Sequence, residues 1–128
     1  IYTITGGFSI MIMTRTPFRI SFVGGGSDLP DYYQHRAGMV LSASINKYMY
    51  ILSHPYFEKD ELLVKYSQTE LVSQVNDLKH PIIKEAFNQF NVTGGLELNS
   101  SADIPAGTGL GSSSAFTVAL LHNLYIRY

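Results

Sequence analysis

Two glycine-rich segments hold the residues whose types and spacing could do chemistry. One runs from Gly107 to Ser114, with glycines at alternate positions followed by three serines and an apolar run. Glycines let backbone N–H groups approach a polyphosphate, and a helix that begins near Ser112 would present unpaired N–H groups and the positive end of its dipole. Serine hydroxyls can donate to phosphate oxygens or bind Mg²⁺. The residues favour a phosphate-binding loop over the alternative, a plain glycine-rich turn with serine N-caps.

Two common phosphate-binding patterns do not fit this loop. A Walker loop needs a lysine directly after its last glycine, and no lysine stands there. The dinucleotide-binding pattern Gly-x-Gly-x-x-Gly needs a third glycine at the position that Ser112 occupies. Neither a Walker-type nucleotide site nor a Rossmann dinucleotide site is therefore indicated.

The other segment is Gly24-Gly25-Gly26-Ser27-Asp28, directly after a predicted strand that contains Arg19. Its three glycines permit backbone angles that other residues avoid. From the residues alone, a surface strand residue in an ion pair is the favoured interpretation of Arg19. Asp28 is equally a helix cap or a hydrogen-bond acceptor for a ligand. The composition of this segment leaves its function open.

The loop over residues 103–115 closely resembles the nucleotide-binding motif of the GHMP kinases, which include galactokinase, homoserine kinase, mevalonate kinase and phosphomevalonate kinase. That motif is a proline, three residues, Gly-Leu-Gly-Ser-Ser and a small residue, and the sequence matches it at Pro105, Gly109, Leu110, Gly111, Ser112 and Ser113. Residues 16–30 resemble the substrate-side motif of the same family. They are most similar to the heptose 7-phosphate kinase branch, where arginine, four residues and Gly-Gly-Gly-Ser/Thr-Asp are typical. Galactokinase-like members carry Glu-His where this chain has Gly25 and Gly26, which argues against a galactose substrate.

The resemblance implies ATP and Mg²⁺ as cofactors and a sugar or sugar phosphate as the acceptor. It implies that Arg19 is a catalytic residue near the transferred phosphoryl group, that Asp28 accepts hydrogen bonds from sugar hydroxyls, and that the Ser113 hydroxyl contacts Mg²⁺. The implied nucleotide-binding residues are Pro105, Ala106, Gly107, Gly109, Leu110, Gly111, Ser112, Ser113 and Ser114. The implied substrate-binding residues are Gly24, Gly25, Gly26, Ser27 and Asp28.

The favoured function is therefore ATP-dependent transfer of the γ-phosphoryl group to a sugar or sugar phosphate, similar to heptose 7-phosphate kinase. By resemblance, the acidic catalytic residues and a second domain are expected beyond Tyr128. We accordingly expect residues 11–128 to be an incomplete, truncated GHMP kinase N-terminal ATP-binding domain, with residues 1–10 as a leader or upstream-translated segment. The alternatives are a non-catalytic nucleotide- or sugar-binding fragment of such a kinase, and a structural domain whose glycine loops are only turns.

Strand and helix patterns predict the elements that must position these segments. Predicted strands cover residues 14–23, 39–53, 61–67 and 96–101, and predicted helices cover residues 31–36, 81–90 and 115–128. Residues 68–78 are polar and suggest at most a helical turn, whereas the last helix is apolar almost throughout and should be buried. This order of elements indicates an α+β layer architecture, which the resemblance specifies as the ribosomal protein S5 domain 2-like type.

Composition narrows the class of protein further. With 45% hydrophobic residues the chain can build a core, and its net charge of −1 without a basic cluster argues against nucleic-acid binding. The absence of cysteine excludes disulfides and thiolate metal sites. No apolar stretch approaches the ~20 residues of a membrane span, and no secretory signal is seen, so we expect a cytoplasmic protein. Without its second domain, an exposed apolar face would favour self-association.

Overall fold

The computed structural model describes residues 2–6 and 9–128, and its centre is one six-stranded sheet. The strands are β1 (Tyr2–Gly6), β2 (Ser9–Val23), β3 (Leu41–Pro55), β4 (Leu62–Lys65), β5 (Thr69–Val72) and β6 (Leu96–Ala102), in the spatial order β1-β2-β3-β6-β4-β5. The helices are α1 (Pro30–Tyr33), α2 (Pro81–Gln89) and α3 (Ser112–Arg127), with 3₁₀ turns at Gly25–Asp28 and Val75–Asp77. All strand pairs are antiparallel except β4 with β6. The predicted α+β class is confirmed.

The core lies between one face of the sheet and the two longer helices. Alternate strand residues point into it, as the two-residue period of a strand requires; on β3 these are Met49, Ile51 and Ser53. Helix α2 contributes Ile83, Ala86 and Phe87, and α3 contributes Ala115, Phe116, Ala119, Leu120, Asn123 and Leu124. The prediction that α3 is buried holds for one face only, because Val118 and Tyr125 are exposed on the other.

Buried polar side chains fix α3 against β2 and β3. The amide Nδ2 of Asn123 donates to the carbonyls of Ile12 and Ile51, both at 3.1 Å. Its Oδ1 accepts a hydrogen bond from the Ser53 hydroxyl, and the Thr14 hydroxyl donates to a carbonyl of α3 at 2.8 Å. Since buried polar groups are costly when unpaired, these bonds hold the helix in one rotation and depth on the sheet.

Two of the predicted strand assignments differ from the structure. Strand β2 begins at Ser9 rather than at residue 14, because its first residues pair with β1. The polar run 68–78 holds strand β5 as well as a 3₁₀ turn. This strand buries Glu70, whose carboxylate accepts hydrogen bonds from the Tyr66 hydroxyl at 2.6 Å and the Lys79 N–H at 2.7 Å. Those bonds explain how a polar segment becomes part of the sheet.

The end of β2 and the start of β3 extend past the helices and form an exposed arm. This arm carries the first glycine segment along the chain, residues 24–28. Burial on β2 ends at Phe18, and beyond it the arm exposes Phe22 and Met39 at 65% and 86%. The predicted helix over residues 31–36 is confined to α1, which ends at Tyr33. Within the described part of the chain, every helix is too short or too polar to cross a membrane.

Candidate functional site

The second glycine segment along the chain, Gly107 to Ser114, is a loop whose backbone conformation only glycine adopts easily. Gly107, Gly109 and Gly111 have φ values of 82°, 74° and 73°, in the left-handed region that costs other residues about 1–2 kcal/mol. A Cβ added to Gly107 or Gly109 would have no atom within 4 Å. The surface of the loop is therefore open to a ligand at these two positions.

Helix α3 begins directly after this loop with an uncapped N-terminus. Its N-cap is Gly111, no side chain caps it, and the first bond inside the helix joins the Ala115 N–H to the Gly111 carbonyl at 2.9 Å. The N–H groups of Ser112, Ser113 and Ser114 thus have no acceptor within the helix. The serine N-cap interpretation is wrong for this loop, and the end of a 16-residue helix presents three N–H groups and its positive dipole to an anion.

Arg19 lies against this loop. Its backbone N–H donates to the Leu110 carbonyl at 3.3 Å. Its side chain packs where a Cβ on Gly111 would be, since such an atom would lie 3.3 Å from Arg19 Cγ and 3.4 Å from Nε. The guanidinium donates to the Ser21 hydroxyl at 2.5 Å. Among residues 2–6 and 9–128 the guanidinium has no carboxylate partner within salt-bridge distance. The ion-pair interpretation of Arg19 is therefore wrong.

The first glycine segment is a closed turn at the tip of the arm. Gly24 has a φ of 82°, and a Cβ there would lie 1.9 Å from the Met39 carbonyl oxygen. The Ser27 hydroxyl donates to the Gly24 carbonyl at 2.7 Å and accepts from the Met39 N–H at 3.0 Å. The Ser27 side chain therefore closes the turn, so its hydroxyl is already engaged within the protein.

Asp28 faces a groove instead of capping a helix. The N-cap of α1 is Leu29, without a side-chain hydrogen bond, so the cap interpretation of Asp28 is wrong. Asp28 is exposed and lines an open groove of about 440 Å³ together with Tyr33 and Val40. A carboxylate in this position is free to accept hydrogen bonds from hydroxyl groups of a ligand.

A line of contacts joins the two glycine segments. Arg19 touches Gly111 at one end and Ser21 at the other, and a Cβ on Gly25 would lie 3.9 Å from Ser21 Cβ. Arg19 and Ser21 are two residues apart on β2 and so point to the same face. The fold thus brings the predicted catalytic arginine to the loop over residues 107–114 and connects it to the predicted substrate segment.

A second groove, of about 470 Å³, adjoins the chain just before Gly107. Tyr66 and Ser67 line one side of it, and residues 100–106 line the other. The Tyr66 hydroxyl donates to Glu70, and this bond raises the pKa of Tyr66. Burial alone would raise the pKa of Glu70, but the hydrogen bonds from Tyr66 and from the backbone of Lys79 and His80 outweigh it and lower that pKa. Glu70 is therefore held ionised as a structural support behind the groove.

Sequence reasoning missed Asp103 as a residue that supports the loop. It is the first residue of the segment 103–115 and lies outside the matched motif positions, yet its carboxylate accepts a hydrogen bond from β3 where the chain leaves the sheet. A signal was available, since this acidic residue lies between a predicted strand that ends at residue 101 and a glycine loop that begins at Gly107. The residue that it bonds, however, is 55 positions away, and no local pattern indicates that.

Known proteins are similar to this chain in sequence and in fold. Residues 76–126 match the family described as GHMP kinases N terminal domain. A curated protein of Campylobacter jejuni named D-glycero-alpha-D-manno-heptose 7-phosphate kinase is 28% identical over 123 residues, which cover 86% of this chain and 36% of that protein. The chain thus spans little more than a third of this relative's length.

Solved structures agree at the level of the fold. A D-glycero-D-manno-heptose 1-phosphate kinase from Bacteroides thetaiotaomicron superposes with a TM-score of 0.76 at 21% identity, over 91% of this chain and 42% of that one. The Methanococcus jannaschii mevalonate kinase superposes with a TM-score of 0.68 at 19% identity, over 91% and 40%. The matched residues 76–126 include the loop over residues 107–114 and all but the last residue of α3, and the structural matches show a shared fold over 91% of the chain.

Proposed function

We propose that this chain binds Mg-ATP at the loop over residues 107–114, which we call the phosphate loop. We further propose that the chain is part of an ATP-dependent kinase acting on a sugar or sugar phosphate. One observation carries the proposal: the uncapped N-terminus of α3 follows three left-handed glycines, with Arg19 packed against the last of them. Three free N–H groups, a helix dipole and a guanidinium at one place favour a polyphosphate over a neutral ligand.

Each residue then has a role that its surroundings allow. Phosphoryl transfer depends on positioning and on neutralising charge, with Mg²⁺ bridging phosphate oxygens. The loop residues would hold the phosphates, and the exposed Ser113 hydroxyl is the proposed Mg²⁺ contact. Arg19 would neutralise charge on the transferred group, and its guanidinium is oriented by the hydrogen bond to Ser21. The groove beside Tyr66 adjoins the loop entry and has room for the nucleoside.

For the acceptor, we propose a heptose phosphate or a related sugar phosphate bound along the arm. Asp28 supports this because its free carboxylate lines a groove next to the turn that closes the first glycine segment. The name of the Campylobacter jejuni relative supports the same substrate class. Because the reaction draws on the ATP pool, the proposal includes a cytoplasmic location.

The test is a calorimetric titration of the folded chain with Mg-ATP, run beside Ser113→Ala. We expect saturable binding that the substitution weakens at least about tenfold, since a hydrogen bond to a charged group contributes about 1.5–3 kcal/mol. Ser73→Ala is the matched control, because Ser73 is exposed in the loop after β5 and lines neither groove of the proposed site. Equal affinities for all three proteins would place the nucleotide elsewhere.

A transfer assay separates the kinase from its alternatives. ADP release is measured with Mg-ATP and heptose 7-phosphate present, and release that is lost in Arg19→Ala would support the kinase. Mg-ATP binding without ADP release would favour a non-catalytic nucleotide-binding fragment. A folded sample that binds no Mg-ATP would favour a structural domain whose glycine loops are turns.

A further inference from the structure

The side chain of Asp103 takes the place of its own backbone carbonyl as the hydrogen-bond acceptor at the end of β6. Its backbone N–H donates to the Tyr48 carbonyl at 3.0 Å, which adds one step to the β3–β6 ladder. In a continued antiparallel pair, the Tyr48 N–H would return a bond to the Asp103 carbonyl. Here the Tyr48 N–H donates to Asp103 Oδ2 at 2.8 Å instead. The side chain thereby satisfies β3 and leaves the peptide unit after Asp103 free to turn out of the sheet.

The Tyr50 side chain also bonds to this anchor and is part of an aromatic cluster on the same strand. The Tyr50 hydroxyl donates to the same Oδ2 at 3.3 Å, and the pKa of Tyr50 is raised by burial and by the charge of Asp103. The Tyr48 ring lies 6.2 Å from that of Tyr50 and has the Arg15 guanidinium 4.6 Å above it. Removing the carboxylate would leave the Tyr48 N–H without its acceptor at an otherwise ordered point of the sheet.

The segment from Asp103 to Leu110, which leads through the phosphate loop toward α3, is attached to the rest of the protein at both ends. At its start, Ile104 packs on the hydrophobic core directly after the Asp103 anchor. At its end, Leu110 packs on the same core and its carbonyl accepts from Arg19. The direction in which the chain leaves Asp103 therefore sets where the intervening N–H groups point.

We propose that Asp103 is a positioning residue for nucleotide binding: it touches β3 and not the nucleotide, and it sets the course of the phosphate loop. This inference rests on the proposed function, because it assigns a purpose to the anchor only if the loop binds a phosphate. It predicts that the geometry of the acceptor matters and that its negative charge does not. An asparagine, which keeps an oxygen acceptor at the same distance from the backbone, should therefore substitute for it.

The experiment compares Asp103→Ala, Asp103→Asn and the control Asp77→Ala, an exposed aspartate in the second 3₁₀ turn. We expect Asp103→Ala to speed amide exchange at Tyr48 and to raise the Kd for Mg-ATP about tenfold, because the loop N–H groups would no longer be held toward the phosphates. Asp103→Asn should restore both values to near those of the unmodified chain, and Asp77→Ala should change neither.

The outcomes distinguish this inference from the proposed function. Asp103→Ala that binds Mg-ATP as tightly as the unmodified chain overturns the positioning role alone. Asp103→Asn as weak as Asp103→Ala also overturns it, because charge would then matter and geometry would not. An unmodified, folded chain that binds no Mg-ATP overturns the proposed function, and the positioning role with it.

Discussion

Replacing Asn123 by alanine should destabilise the fold through the loss of buried hydrogen bonds. Asn123 is fully buried and makes three such bonds, to the carbonyls of Ile12 and Ile51 and from the Ser53 hydroxyl. Each bond contributes about 1 kcal/mol, so the free energy of unfolding should fall by about 3 kcal/mol. For a chain of this size, that corresponds to a Tm lower by about 10 °C.

Urea unfolding followed by circular dichroism measures this loss. Asn99→Ala is the matched control, because Asn99 lies on the open face of the sheet and donates only to Glu97 at 3.2 Å. The control should lose less than about 1 kcal/mol. A loss below about 1 kcal/mol for Asn123→Ala, or equal losses for the two variants, would refute the argument that buried polar bonds fix α3 on the sheet.

Two further predictions concern the arm and the support behind the loop. Gly24→Ala should destabilise the arm, because it adds the left-handed cost of about 1–2 kcal/mol to a clash with the Met39 carbonyl; Gly26→Ala meets no atom within 4 Å and should be near neutral. Urea unfolding with amide exchange at Met39 compares the two, and equal behaviour would contradict the geometry. The pKa of Glu70 is lowered, so its ionisation stabilises the fold above about pH 4.5 and this stability is lost as the pH falls further. Glu70→Gln should flatten the fall in Tm below pH 4.5, and an unchanged acid slope would argue against that assignment.

The features predicted from the sequence are those that local chemistry determines. The helix after the phosphate loop begins at Ser112, near where the loop pattern placed its start and three residues before the predicted apolar helix 115–128, because the glycines before it and the apolar residues after it are both visible in the sequence. The strand patterns of β3, β4 and β6 are confirmed to within two residues for the same reason. Edge strand β5 was missed because its only buried residue is a glutamate. The burial of a glutamate is not expected from the sequence unless its hydrogen-bond partners are known.

Features that depend on contacts between distant residues did not follow from the sequence. The packing of Arg19 on Gly111 joins two segments at opposite ends of the chain, and only the family resemblance implied that they meet. Asn123 was one polar residue in an apolar helix, with nothing in the sequence to show that Ser53 and Ile12 would pair with it. The roles of the two glycine segments in binding stay predictions until ligands are tested.

The loop fixed at both ends has a consequence for the entropy of ligand capture. Between Asp103 and Leu110 the chain is short, and both ends are tied to the sheet and the core. The conformational freedom of this segment is thus largely lost when the protein folds. A nucleotide that arrives later meets N–H groups already in place, so little of its binding energy is spent on ordering the protein. Discrimination between nucleotides would then depend on the fit of the ligand, since the loop has little freedom to adapt.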